Sequence, residues 1–144
     1  MRVARFMTAA GLAWLMAITM SVSPTAQTKT DEDFDKLMKG VGGTIGAIRK
    51  GAEGGMMDQV ATDATKMAGL FKDAQAFWAG RNNTEAADWS KAAMDHATAV
   101  ATAATAKDAA AVGAATKQLM GTCASCHGKY RDKAADGTYM IKKM

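Results

Sequence analysis

No proline follows Pro24. A long stretch without proline leaves helices uninterrupted, because proline removes a backbone donor and clashes with the preceding turn. Ala, Met, Lys, Asp and Thr dominate this stretch, and no Val/Ile/Tyr-rich alternating run appears in it, so helix is favoured over strand. Breaks containing glycine or asparagine divide it into periodic segments. The first spans about 31–50, with Thr30 as N-cap, acidic residues in the first turn and Arg49 and Lys50 in the last, as the helix dipole favours. Phe34, Leu37, Met38, Val41, Ile45 and Ile48 make one apolar stripe on it. Gly40, Gly42, Gly43 and Gly46 offer either a small face for close approach or a weakened helix.

Residues 51–55 read as a turn. A second segment follows over 56–80, rich in Met, Leu and Phe, and a loop at Arg81, Asn82 and Asn83. Thr84 is the expected N-cap of a third segment reaching about 106, with Trp89, Ala93, His96, Ala97 and Val100 on its inner face. Its Ala/Thr-rich end predicts a small-residue packing face. The fourth segment spans about 108–133, where Val112, Thr116, Leu119, Cys123, Cys126 or His127, and Tyr130 recur every three or four positions. Residues 134–144 read as a tail with a turn at Asp136-Gly137. Helices of about 20–25 residues are ~30–38 Å long. Short connections then make the economical fold all-α: an antiparallel up-down-up-down four-helix bundle.

Residues 1–26 have the pattern of a secretory signal peptide. Arg2 and Arg5 form a positive start, residues 6–20 are uncharged, and small and polar residues end at Ala26. The apolar stretch is shorter than the ~20 residues a membrane span needs; an uncleaved anchor is the alternative reading. Residues 27–144 then form one domain. Without Arg2 and Arg5 the formal charge falls from +4 to +2. No basic stripe with interleaved aromatics is present, which gives no case for nucleic-acid binding. The expected location is the periplasm, with no membrane span after cleavage.

The chain has two cysteines, in Cys123-Ala124-Ser125-Cys126-His127. This spacing fits covalent attachment of a c-type haem on the last helix: two thiols reach two vinyl groups on one porphyrin edge, and the adjacent imidazole of His127 meets the iron. A dithiol redox site usually opens a helix in a mixed α/β fold, whereas this pair lies late in a helical segment. A zinc site lacks a second cysteine pair, and His96 is the only other histidine.

The stretch Cys123 to Arg131, with an aromatic and an arginine three and four residues after His127, resembles the cytochrome c-prime superfamily, the class II c-type cytochromes. So do residues 37–46, Leu-Met-Lys-Gly-Val-Gly-Gly-Thr-Ile-Gly, and Trp89 early in the third segment. The likeness spans the region after the signal. An aromatic–arginine pair that many members carry before the first-helix ligand position is replaced here by Asp33 and Phe34, and the loop before the third segment is shorter. The resemblance implies one covalent haem c, with His127 as proximal iron ligand. Met38 holds the position of the sixth ligand in the low-spin His/Met subgroup, and it lies on the inward stripe; as core filler it would need no such role. His96 is the rival sixth ligand. Tyr130 and Arg131 are candidate haem contacts, against the readings of a packed aromatic and an exposed arginine.

The expected function is a mono-haem single-electron carrier working with redox partner proteins. The alternative is a binding protein for NO or CO, with an apolar distal site from Leu37, Val41 and Ile45. An enzyme such as a peroxidase finds no distal acid–base pair here, and a thiol oxidoreductase would require free thiols. A homodimer through the first two helices, as in many members of the family, is compatible with the Met-rich second segment.

Overall fold

A computed structural model describes residues 30–142 except residue 136. Four helices run in sequence: α1 (Asp31–Glu53), α2 (Met57–Ala79), α3 (Thr84–Thr105) and α4 (Ala109–Tyr130). They pack against one another as an all-α four-helix bundle. The stretch read as an export signal lies outside the described residues. No described helix is long and apolar enough to cross a membrane.

Three of the helix starts are set by side chains. Thr30 and Asp33 form a capping box: the Thr30 hydroxyl accepts from the Asp33 amide at 3.1 Å, and the Asp33 carboxylate accepts from the Thr30 amide at 2.9 Å. Asn83 caps α3 through the Ala86 amide at 3.0 Å, so the cap is Asn83 and not Thr84, which is the first helical residue. Asp108 caps α4 through the Ala111 amide at 2.9 Å.

The first helix continues through the glycine expected to end it. Gly51 is buried on α1, where an added Cβ would stand 2.9 Å from Val60 Cγ2. It is a close-packing position, and the turn comes later, with Gly55 at φ +69°. Consecutive helices pack side by side. The α2–α3 seam is the most extensive, because Ala86, Ala93, Ala97 and Ala104 present a low, fully buried face to Val60, Ala64 and Met67. The small-residue packing face expected for α3 is therefore present. α1 and α4, by contrast, touch each other at few points.

The last helix is shorter than the sequence reading. It ends at Tyr130, because Arg131 is extended at φ −104°, ψ 131°. What reads as helix end and tail is an antiparallel hairpin of β1 (Arg131–Lys133) and β2 (Tyr139–Ile141), with Arg131 paired to Ile141 and Lys133 to Tyr139. The Lys142 amide donates to the Tyr130 carbonyl at 2.8 Å, satisfying an acceptor that the helix end leaves open. β2 also packs on α1, with Ile141 against the core. The hairpin therefore bridges the two helices that scarcely meet.

Candidate functional site

The weak α1–α4 seam holds a cavity of about 1160 Å³, larger than the roughly 300–1,000 Å³ of most ligand pockets. α1 supplies Phe34, Met38, Val41, Gly42 and Ile45 to its wall. α2 and α3 close the back with Met67, Phe71, Trp78, Trp89 and Ala93. α4 contributes Leu119, Met120, Cys123, Cys126, His127 and Tyr130, and the hairpin forms the remaining side.

The helical period explains why the α4 groups gather. Cys126 and His127 lie three and four residues after Cys123, so all three fall on one face of the helix. Each is half-buried. The two thiols are not joined to each other in a disulfide. Met38 is half-buried on the stripe of α1 and borders the same cavity. An added Cβ at Gly42, on the cavity wall, would meet nothing within 4 Å, so α1 leaves open room there.

Electrostatics separate this pair of thiols from a nucleophilic one. Burial pushes the Cys123 thiol up, and burial together with the Cys123 and Glu85 charges pushes Cys126 up to about 11. Both cysteines sit in the last turns of α4, near the negative end of its dipole, which also disfavours thiolate. A dithiol catalyst needs the opposite. Burial, aided by the Arg131 guanidinium, pushes the His127 imidazole below its ordinary value and toward its neutral form.

Tyr130 is buried one turn beyond His127, with its ring against Trp78 and Trp89 at centroid distances of 5.3 and 5.7 Å. Its hydroxyl donates to Glu85 Oε2 at 2.8 Å and lies 3.2 Å from Asn83 Oδ1. Lys129 pairs with the same Glu85 carboxylate, and hydrogen bonds from Lys129 and Tyr130 hold that carboxyl below its usual range. Tyr130 thus ties the end of α4 to the start of α3. Nothing in the sequence signals this link, because Tyr130 and Glu85 are 45 residues apart. Arg131 is exposed and borders the cavity, with its guanidinium 4.1 Å from the centre of the Tyr139 ring.

The expected site residues Met38, Cys123, Cys126, His127, Tyr130 and Arg131 therefore all border one cavity. His96 does not; it is half-buried elsewhere on α3. Leu37 is core and is also absent from the wall, while Val41 and Ile45 line it. The sequence reading did not identify Met67, Phe71 and Trp78 as cavity lining, although their apolar stripe was visible. The hairpin side, Tyr139 and Met140, it missed. Among the described residues, no three His, Cys, Asp or Glu side chains gather as a metal site, so the ligand set of a structural zinc is not assembled there.

Fold and site together define a helical bundle that encloses a large apolar cavity with two thiols and an imidazole on one wall. No protein-family description matches the chain, and neither the curated proteins nor the solved structures contain a match.

Proposed function

We propose that the chain is an exported mono-haem c-type cytochrome that carries single electrons in the periplasm. The observation that supports this most is the shared cavity: the Cys123 and Cys126 thiols, the His127 imidazole and the Met38 thioether all border one apolar volume. The residues fit haem c. Two half-buried thiols one helical turn apart, held in the protonated form, suit thioether links, and an adjacent imidazole pushed toward its neutral form suits iron. The likeness to the low-spin members of the cytochrome c-prime superfamily assigns the same roles, residue by residue. The up-down-up-down order of the helices belongs to this reading, since the connections are short.

When bound, haem supplies an iron that cycles between ferrous and ferric states. Cys123 and Cys126 would hold the porphyrin through thioether bonds. His127 would hold the iron through an imidazole nitrogen, and Met38 would hold it through a soft sulfur from α1. With the protein supplying both of these ligands, a change of oxidation state would need little rearrangement of the chain. Val41, Ile45 and Phe71 exclude water and lower the local dielectric, which tunes the potential. The chemistry needs no general acid or base, and the protein works as a carrier between redox partner proteins rather than as an enzyme.

A second reading, binding of NO or CO, draws on the apolar wall that Val41 and Ile45 make beside Met38. It requires Met38 to leave the iron. An absorption spectrum of the haem-matured protein separates the two readings. Low-spin bands unchanged by carbon monoxide, with an Fe–S(Met) charge-transfer band in the oxidised form, are expected for the carrier. A high-spin spectrum that shifts with carbon monoxide would replace the carrier with the gas binder.

A further inference from the structure

The hairpin is the least buried wall of the cavity: of its six strand residues only Ile141 is even half-buried. Large exposed hydrophobics are few among the described residues, namely Met56, Met120, Tyr139 and Met140. Three of these four, Met120, Tyr139 and Met140, border the cavity, and Tyr139 and Met140 are neighbours on β2. Exposed apolar side chains gathered in this way mark contact surfaces, whereas scattered ones need no explanation.

The charges around this patch are lopsided. Arg131, Lys133 and Lys142 surround it, with Asp132 as the only acidic residue on the described strands. Across the cavity on α1, the two acidic residues of the wall are ion-paired: Asp31 with Arg81, and Asp35 with Lys39. The rim therefore presents a small apolar centre with a net positive border. Weak electron-transfer encounters use interfaces of this kind, typically below about 1,200 Å² in all, and charge complementarity sets their on-rate more than their affinity.

We propose that the β-hairpin is the docking surface through which an acidic redox protein exchanges electrons with the cofactor. This rests on the haem reading above. One electron passes from the ferrous iron to the partner's oxidised centre, or back, and no atom is transferred. A partner seated on the hairpin is separated from the cavity by a single layer of backbone, which shortens the path for that electron.

The test uses the reduced, haem-matured full chain in a stopped-flow instrument, with hexacyanoferrate(III) as an anionic oxidant and tris(phenanthroline)cobalt(III) as a cationic one. The variant K133E/K142E reverses the hairpin charge. The control K66E/K117E makes the same change in net charge at exposed positions outside the cavity wall. At low salt, the hairpin variant is expected to react with hexacyanoferrate about tenfold more slowly than the wild type, the lower end of steering effects, and faster with the cobalt complex. The control is expected to change both rates much less. Equal changes in the two variants, for a protein that carries haem, would overturn this inference alone. A chain that matures without haem would overturn the functional reading and this inference with it.

Discussion

Two seams of the bundle are built in opposite ways. Between α2 and α3, alanines on one helix meet Val60, Ala64 and Met67 on the other, and all are fully buried. Between α1 and α4 there is little direct contact, a cavity of about 1160 Å³ and a hairpin that spans the gap. The closed seam needs only small apolar side chains in register, and it supplies packing energy. The open seam gives up that packing and gathers the Met38, Cys123 and Cys126 sulfurs and the His127 imidazole instead. The proposed function therefore draws on the side of the bundle that is less tightly packed, as expected for a site.

Replacing both thiols, C123S/C126S, attacks the open seam most severely. Covalent haem is expected to be lost completely, while the helical content of the chain is kept; haem staining of denatured protein and circular dichroism read the two. Retained covalent haem would contradict the assignment of these residues. Removing the facing sulfur, M38A, comes next. The holoprotein is expected to gain carbon monoxide binding and to lose on the order of 100 mV in potential, a part of the roughly 0.8 V that axial ligation spans. A voltammogram unchanged from wild type would remove Met38 from the iron.

Two isoleucines on one helix sharpen the contrast in stability. Ile48 is fully buried away from the cavity, whereas Ile45 borders it and is half-buried. In urea unfolding of the apoprotein, Ile48→Ala is expected to cost about 2–5 kcal/mol. Ile45→Ala should cost below about 1 kcal/mol, as at a surface site. Equal costs would mean that the α1 face toward the cavity is as tightly packed as the rest.

Two glycines give modest effects of opposite sign. Gly51→Ala pushes a Cβ to 2.9 Å from Val60 Cγ2 and is expected to destabilise by about 1–3 kcal/mol through overpacking. Gly46→Ala meets nothing within 4 Å and is expected to stabilise the helix by roughly 0.5–1 kcal/mol. Thermal unfolding of the two variants side by side checks the signs.

The closed seam was the more legible one. Four helices follow from apolar spacing in a stretch without proline, and Thr30 carries its cap in plain view, with the Asp33 partner three residues on. Boundaries were less legible, because glycine has two uses. Gly51 looks like a terminator, yet it is a contact point whose missing side chain lets α1 approach Val60. The open seam was legible where covalent spacing encodes it, at Cys123, Cys126 and His127. The hairpin was not, since strands of three residues are too short to show a period, and only the Asp136-Gly137 turn signal hinted at it. The anchor from Tyr130 to Glu85 was also hidden, because it depends on how two helix ends meet in space.

The most direct test of the central claim is the intact mass of the chain after expression in a host that performs c-type haem maturation, measured under denaturing conditions with a thiol-alkylating reagent present. The expected mass is that of residues 27–144 plus one haem, with no alkylated cysteine. The mass of the bare polypeptide, with Cys123 and Cys126 both alkylated, would contradict it.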